Sequence, residues 1–188
     1  MVKKTNPNQK INQLLIDLKS DSEGKITSAI FELASIGDVS VIPTLFDSLK
    51  QMTGKNHHKQ LAKLLSDIQI PGASEAFIQV IRNEEDSTTL KMFLPILWES
   101  KLDFSNYLAD FVEISISGDY LIALDCLTII ENIPGPFSES QLLESQLHLK
   151  EFIENKADTD ERKMQILSEI ALFIKDQNEG IDADLLFD

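Results

Sequence analysis

Cysteine is nearly absent: Cys126 is the only one in 188 residues. That excludes an intrachain disulfide and any metal cage built on cysteines. Its setting, LIALDCLTII, is apolar, where a free cysteine behaves as a small buried hydrophobe. Glycine and proline are scarce, seven and six, which argues against a many-turned β architecture. No uninterrupted apolar run reaches the length of a membrane-spanning helix. The start, MVKKTNPNQK, has basic residues without the apolar stretch of a signal peptide behind them. A cytoplasmic location is therefore the expectation. Positive charge is also short: 17 Lys and Arg face 31 Asp and Glu, a net charge of −14, with a pI near 4.5. A nucleic-acid binder draws affinity from cations set against phosphates, and an anionic membrane repels an acidic surface. Neither is expected as a partner. A basic protein, or a basic or amphipathic helical peptide, suits the overall charge best.

What is present is ordinary for a folded domain: 43% apolar and 26% charged residues, on a chain long enough to bury a core. Leu, Ile, Phe and Ala dominate the apolar set, which favours helix. Residues 1–7 read as a loose leader, 8–176 as one helical domain and 177–188 as an acidic tail. The spacing predicts ten amphipathic helices. The first, over about 8–19, carries Ile11, Leu14, Leu15 and Leu18. The second carries Ile26, Ala29, Ile30, Leu33 and Ala34, with Gly37 placed to close it. The third, over about 39–52, holds Pro43 early, where its missing N–H costs least. The fourth has Leu61, Leu64, Leu65 and Ile68; after Pro71-Gly72 the fifth has Ala76, Phe77, Val80 and Ile81. The sixth, with Ser87 as its cap, has Leu90, Phe93, Leu94, Leu97 and Trp98. Pro95 predicts a kink there or an early end. The seventh starts near Asp103 and carries Phe104, Leu108, Phe111 and Val112; its β-branched end, VEISIS, keeps helical spacing. Gly118-Asp119 repeats the corner at Gly37-Asp38. The eighth, DYLIALDCLTIIENI, is the most apolar. Beyond Pro134-Gly135-Pro136, the ninth (about 138–155) carries Leu142, Leu143, Leu147, Phe152 and Ile153. The tenth (about 159–175) carries Met164, Ile166, Leu167, Ile170, Ala171 and Ile174.

These helices recur in step. Late apolar positions of the odd helices, Leu18, Leu49, Ile81 and Val112, stand 31, 32 and 31 residues apart. Those of the even helices, Leu33, Leu65 and Leu97, stand 32 apart. Such a period marks a helical repeat, in which each hairpin buries its faces on its neighbours. Residues 11–49 resemble HEAT/armadillo-like repeats: an Ala-bearing helix, SAIFELASIGD, closes one repeat, and VIPTLFDSL opens the next. The resemblance implies an all-α fold, an α-solenoid of about five antiparallel hairpins with the second helices lining a concave side. Lys25 and Thr27 stand where the family often has Arg, and beyond Leu61 only the period persists.

No catalytic constellation is legible. His57-His58 are adjacent on a helix, about 100° apart, so one metal cannot easily take both; His148 lies far away. DQNEGIDADLLFD has acidic or amide side chains at alternating positions, Asp176, Asn178, Asp182 and Asp184, but Ile181 and Phe187 stand where a calcium loop needs Gly and Glu. Glu84-Glu85-Asp86 and Asp158-Asp160-Glu161 precede helices, where carboxylates favour the helix dipole. There is no GxSxG elbow or Gly-rich phosphate loop. Tyr107 and Tyr120 are aromatic residues of a type enriched at contact surfaces, whereas the stripe places Trp98 in the core. No catalytic, metal or cofactor-binding residue is assigned, and no cofactor is expected. The functional expectation is a non-enzymatic scaffold or adaptor that binds a protein or peptide on its concave face, as a monomer or weak homo-oligomer. The alternative is an enzyme or small-ligand-binding helical domain with a site assembled from distant residues. A DNA glycosylase of HEAT-like build would need a basic groove that the net charge disfavours.

Overall fold

The computed structural model describes residues 7–20, 22–34, 38–155 and 160–184. Among them every regular element is helical: α1 (Pro7–Asp17), α2 (Glu23–Ala34), α3 (Ile42–Gln51), α4 (Lys55–Ser66), α5 (Ala73–Arg82), α6 (Ser87–Glu99), α7 (Leu108–Ser117), α8 (Tyr120–Asn132), α9 (Glu139–Glu154) and α10 (Glu161–Asp184). Single 3₁₀ turns, Val39–Val41 and Ser105–Tyr107, lead into α3 and α7. No described helix is long and apolar enough to cross a membrane. Gly37, residues 1–6, Asp158 and the last four residues lie outside the described residues.

The chain divides into two compact units, residues 1–80 with 99–102, and residues 81–98 with 103–188. In the first, α1 packs on α2, α3 on α4, and α2 on α4. Phe46 of α3, buried, meets Phe77 of α5 edge-on, with ring centroids 5.1 Å apart. In the second, α7 packs on α8 and α9, α8 on α10, and α9 on α10. Phe111, Ile122, Cys126, Ile130, Leu142 and Ile170 form its fully buried centre. Buried serines on α7 and α9 keep their hydroxyls satisfied: Ser115 donates to the Val112 carbonyl and Ser145 to that of Gln141, both at 2.7 Å. Among the described residues no buried side-chain nitrogen or oxygen lacks a partner, as a well-formed core requires.

Several local expectations shift. Pro95 neither ends nor shortens α6, which continues to Glu99. The cap of α6 is Asp86 rather than Ser87: its carboxylate accepts from the Thr89 N–H at 2.8 Å and from the Thr89 hydroxyl at 2.6 Å. Helix α4 stops at Ser66, leaving Ile68 half-buried in the following loop. On α5 the buried face is Ala73, Phe77, Ile78 and Ile81, with Ala76 and Val80 half-buried. Positions 73, 77, 78 and 81 share one side of the helix, and Ala76 and Val80 fall at its edge. Trp98 is 41% exposed, not core. Helix α9 buries Leu142, Ser145 and Leu149, and leaves Leu143, Leu147 and Ile153 exposed. Two apolar stripes compete there, and packing chooses the one with a small serine at its middle. Helix α10 runs on to Asp184, through residues whose composition suggests a tail.

Local chemistry sets the corners. Gly72 has φ of +81°, a left-handed conformation that glycine adopts at no steric cost. At the second corner Asp119 caps α8 by accepting from the N–H groups of Leu121 (3.0 Å) and Ile122 (3.2 Å), and it also pairs with Lys91. The Lys91 hydrogen bond is the main reason its carboxyl sits below the ordinary range; burial opposes it, and the backbone N–H groups add to it. A folded value below the unfolded one, near 3.9, means the stabilisation is complete above that value and is lost as the pH falls through the folded value. Asp119→Ala is expected to cost about 1 kcal/mol at neutral pH. The gap to the unmodified chain should close below about pH 4. Urea midpoints measured at both ends of this range check the prediction.

Candidate functional site

Helices α2 and α4 lie side by side, and the seam between them opens into a groove of about 400 Å³ lined by Ile30, Phe31, Asn56, Lys59, Gln60, Lys63, Leu64 and Asp67. The lining follows from helix geometry. On α2, Ala29, Ile30 and Leu33 are buried; Phe31, about 100° round from Ile30, falls outside that stripe and is 73% exposed. On α4, Leu61, Leu64 and Leu65 are buried, while Lys55, Lys59 and Lys63 recur every four residues on another face. Ile30 and Leu64 thus form a floor, with Phe31 on one wall and Lys59 and Lys63 on the other.

The electrostatics of the groove differ from those of the chain. Among the described α-helices α4 alone has no carboxylate. Lys63 pairs with Asp67 at 2.6 Å, one turn on, whereas Lys59 makes no ion pair among the described residues. Beside the groove, His57 is half-buried with its Nε2 3.3 Å from the Thr27 hydroxyl, linking α4 to α2. A second, more polar cavity of about 240 Å³ lies on that side, lined in part by Leu18, Ser48, Gln51 and His57.

The residues that draw attention in the sequence are dispersed. His57 and His58 are both half-buried on α4, and His148 is half-buried on α9. Among the described residues no group of three or more His, Cys, Asp or Glu is placed to hold a metal ion. Cys126 is fully buried, and burial pushes its thiol well above the ordinary range. Tyr107 is half-buried in the turn before α7. Tyr120 carries the Arg162 guanidinium over its ring at 4.9 Å. Residues 176–184 are helical rather than a calcium-type loop.

Three features escape pattern reading. The backbone N–H of Ala109, in the first turn of α7, donates to Gln141 Oε1 at 3.0 Å, a cap supplied from α9. At the other end of α7, Lys163 Nζ donates to the Ile116 carbonyl at 2.6 Å and lies 5.6 Å from the centre of the Phe152 ring. The buried carboxylate of Asp110 on α7 is paired with Arg82. Phe31 itself had a signal: it is an aromatic residue off the apolar stripe.

Compared with known proteins, the chain matches no family model, no curated protein and no solved structure.

Proposed function

We propose that the chain is a HEAT-like α-solenoid of about five hairpins that binds a protein or peptide on its concave face, as a scaffold or adaptor rather than an enzyme. The observation that carries the binding reading is the open α2/α4 groove, with an exposed phenylalanine over a floor of Ile30 and Leu64. A small-molecule site buries most of its ligand; a groove whose largest side chain is 73% exposed suits side chains laid along it from a longer partner. The second unit has exposed apolar residues of its own, on α8 (Leu121, Leu124), α9 (Leu143, Leu147, Ile153) and α10 (Leu172).

Support for the repeat comes from side-chain bonds joining helices two apart within each unit. Thr27 and His57 are 30 residues apart, Arg82 and Asp110 28, and Ala109 and Gln141 32. Lys91 and Asp119, also 28 apart, add a fourth. A stack of hairpins with a period near 31 brings residues about one period apart into contact.

Peptide display against the full chain tests the function. Enriched peptides should bind the unmodified protein and lose most of their affinity for Phe31→Ala. No enrichment above background, or enriched peptides indifferent to that substitution, would overturn the reading.

A further inference from the structure

We infer that the α2/α4 groove takes an acidic amphipathic helix, whose apolar face covers Phe31, Ile30 and Leu64 while its carboxylates meet Lys59 and Lys63. This rests on the peptide-binding reading above and adds the chemistry of the partner. Overall charge points to a basic partner; the groove points the other way. A charge on an incoming peptide responds mainly to charges within about 8–10 Å, the screening length near physiological ionic strength, so the local set decides. The charges lining the groove are Lys59, Lys63 and Asp67; Lys55 stands one turn before Lys59 on α4, and Asp38 lines the neighbouring cavity that shares Leu64 and Asp67. Asp67 is engaged by Lys63, and Lys59 makes no ion pair among the described residues. Across the groove, the α2 residues on the line, Ile30 and Phe31, are uncharged. A lysine partner would face the unpaired Lys59 and the Lys63–Asp67 pair; a glutamate partner would pair with Lys59 and share Lys63.

The form of the partner follows from the backbone. No strand occurs among the described residues, and helix interiors spend their N–H and C=O groups on themselves. The groove therefore offers no edge for strand addition, and recognition must run through side chains, as when an amphipathic helix lies in a hydrophobic groove. About 400 Å³ is near the small end of binding clefts, roughly 300–1,000 Å³, enough for a few apolar anchors. Asn56 and Gln60 stand alongside as amide donors and acceptors.

The test uses the full chain and two synthetic helical peptides of about sixteen residues. One has Leu and Phe anchors at helical spacing with Glu elsewhere; its twin has every Glu replaced by Lys. Fluorescence anisotropy should show the Glu peptide binding about tenfold tighter at low salt, with the preference shrinking as salt rises. The net charge of −14 works against this outcome, so a preference for the acidic peptide can come only from a local basic site. Phe31→Ala should weaken the Glu peptide by more than about tenfold. Lys59→Glu with Lys63→Glu should reverse the preference, and Lys59→Ala alone should reduce it should the double variant fold poorly.

Tighter binding of the Lys twin overturns the inference and leaves peptide binding standing. Binding of neither peptide overturns the inference, and if display also fails, the functional reading goes with it. An acidic preference that Phe31→Ala leaves intact places the site elsewhere and overturns the assignment to this groove. A concentration-dependent dimer in light scattering, abolished by Phe31→Ala, would make a second copy of the chain the occupant and overturn it as well.

Discussion

Phe46→Ala is expected to lower the unfolding free energy by about 3–5 kcal/mol, a large share of the roughly 5–15 kcal/mol that holds a domain folded. The ring is 1% exposed and stacks edge-on against Phe77, so truncation loses buried area, aromatic contact and packing together. Phe46→Leu should retain most of the burial and forfeit mainly the edge contact, about 0.5–1.5 kcal/mol. Urea titrations followed by circular dichroism measure both; an unchanged slope would show that stability, rather than the extent of unfolding, has moved. Phe31→Ala provides the contrast. Fifteen residues earlier and 73% exposed, this ring should leave stability within about 0.5 kcal/mol while removing peptide binding. A loss of several kcal/mol at Phe31, or none at Phe46, would contradict the division between core and groove.

Gly118→Ala is expected to destabilise the second unit by about 1–3 kcal/mol. A Cβ at this position would stand 2.6 Å from Ile122 Cβ and 3.0 Å from the Ile114 carbonyl oxygen, with Ile122 Cγ2 closer still. The backbone has little room to yield. The Gly118 N–H closes α7 on the Ile114 carbonyl at 2.9 Å, and Asp119 caps α8 immediately afterwards. With φ of −76°, the position lies in a region open to any residue, so close approach alone demands glycine here. An unstrained Gly→Ala exchange would instead stabilise by about 0.4–1 kcal/mol through the unfolded chain, which gives the opposite sign. In an Ile122→Ala background, which removes the nearest atom, the Gly118→Ala penalty should shrink; such coupling is expected for residues in direct contact.

The residues that could be read in advance are those whose reasons are local. Helix positions follow from the stripes Ile11-Leu14-Leu18 and Leu61-Leu64-Leu65, all buried as the spacing requires. The Gly118-Asp119 corner and the carboxylate before α10 act within four residues of chain: Asp160 accepts from the Arg162 N–H at 3.0 Å. Where a local pattern offered two answers, it failed. On α9, Leu143 and Leu147 match a helical stripe as well as Leu142 and Leu149 do, and Trp98 sits beside Leu97 at the end of a credible core face. Nothing within one helix says which side its neighbour will cover.

The candidate groove was partly visible. Phe31 off its stripe and the lysines of one helix can be seen in the sequence, but that Phe31 meets Lys59 and Lys63 in one groove cannot, because they lie on helices separated by α3. The same holds for Gln141 capping α7 from 32 residues away and for Lys163 reaching the Ile116 carbonyl across 47. By itself the sequence determined the helical class of the described residues, most of their stripes and a spacing near 31 residues, since backbone hydrogen bonds, capping and apolar periodicity act over a few residues. Only the tertiary structure decided which apolar side chains remain uncovered and which charges stand beside them. Burial and screened electrostatics depend on neighbours in space, so a total of −14 does not fix the charge beside the α2/α4 groove.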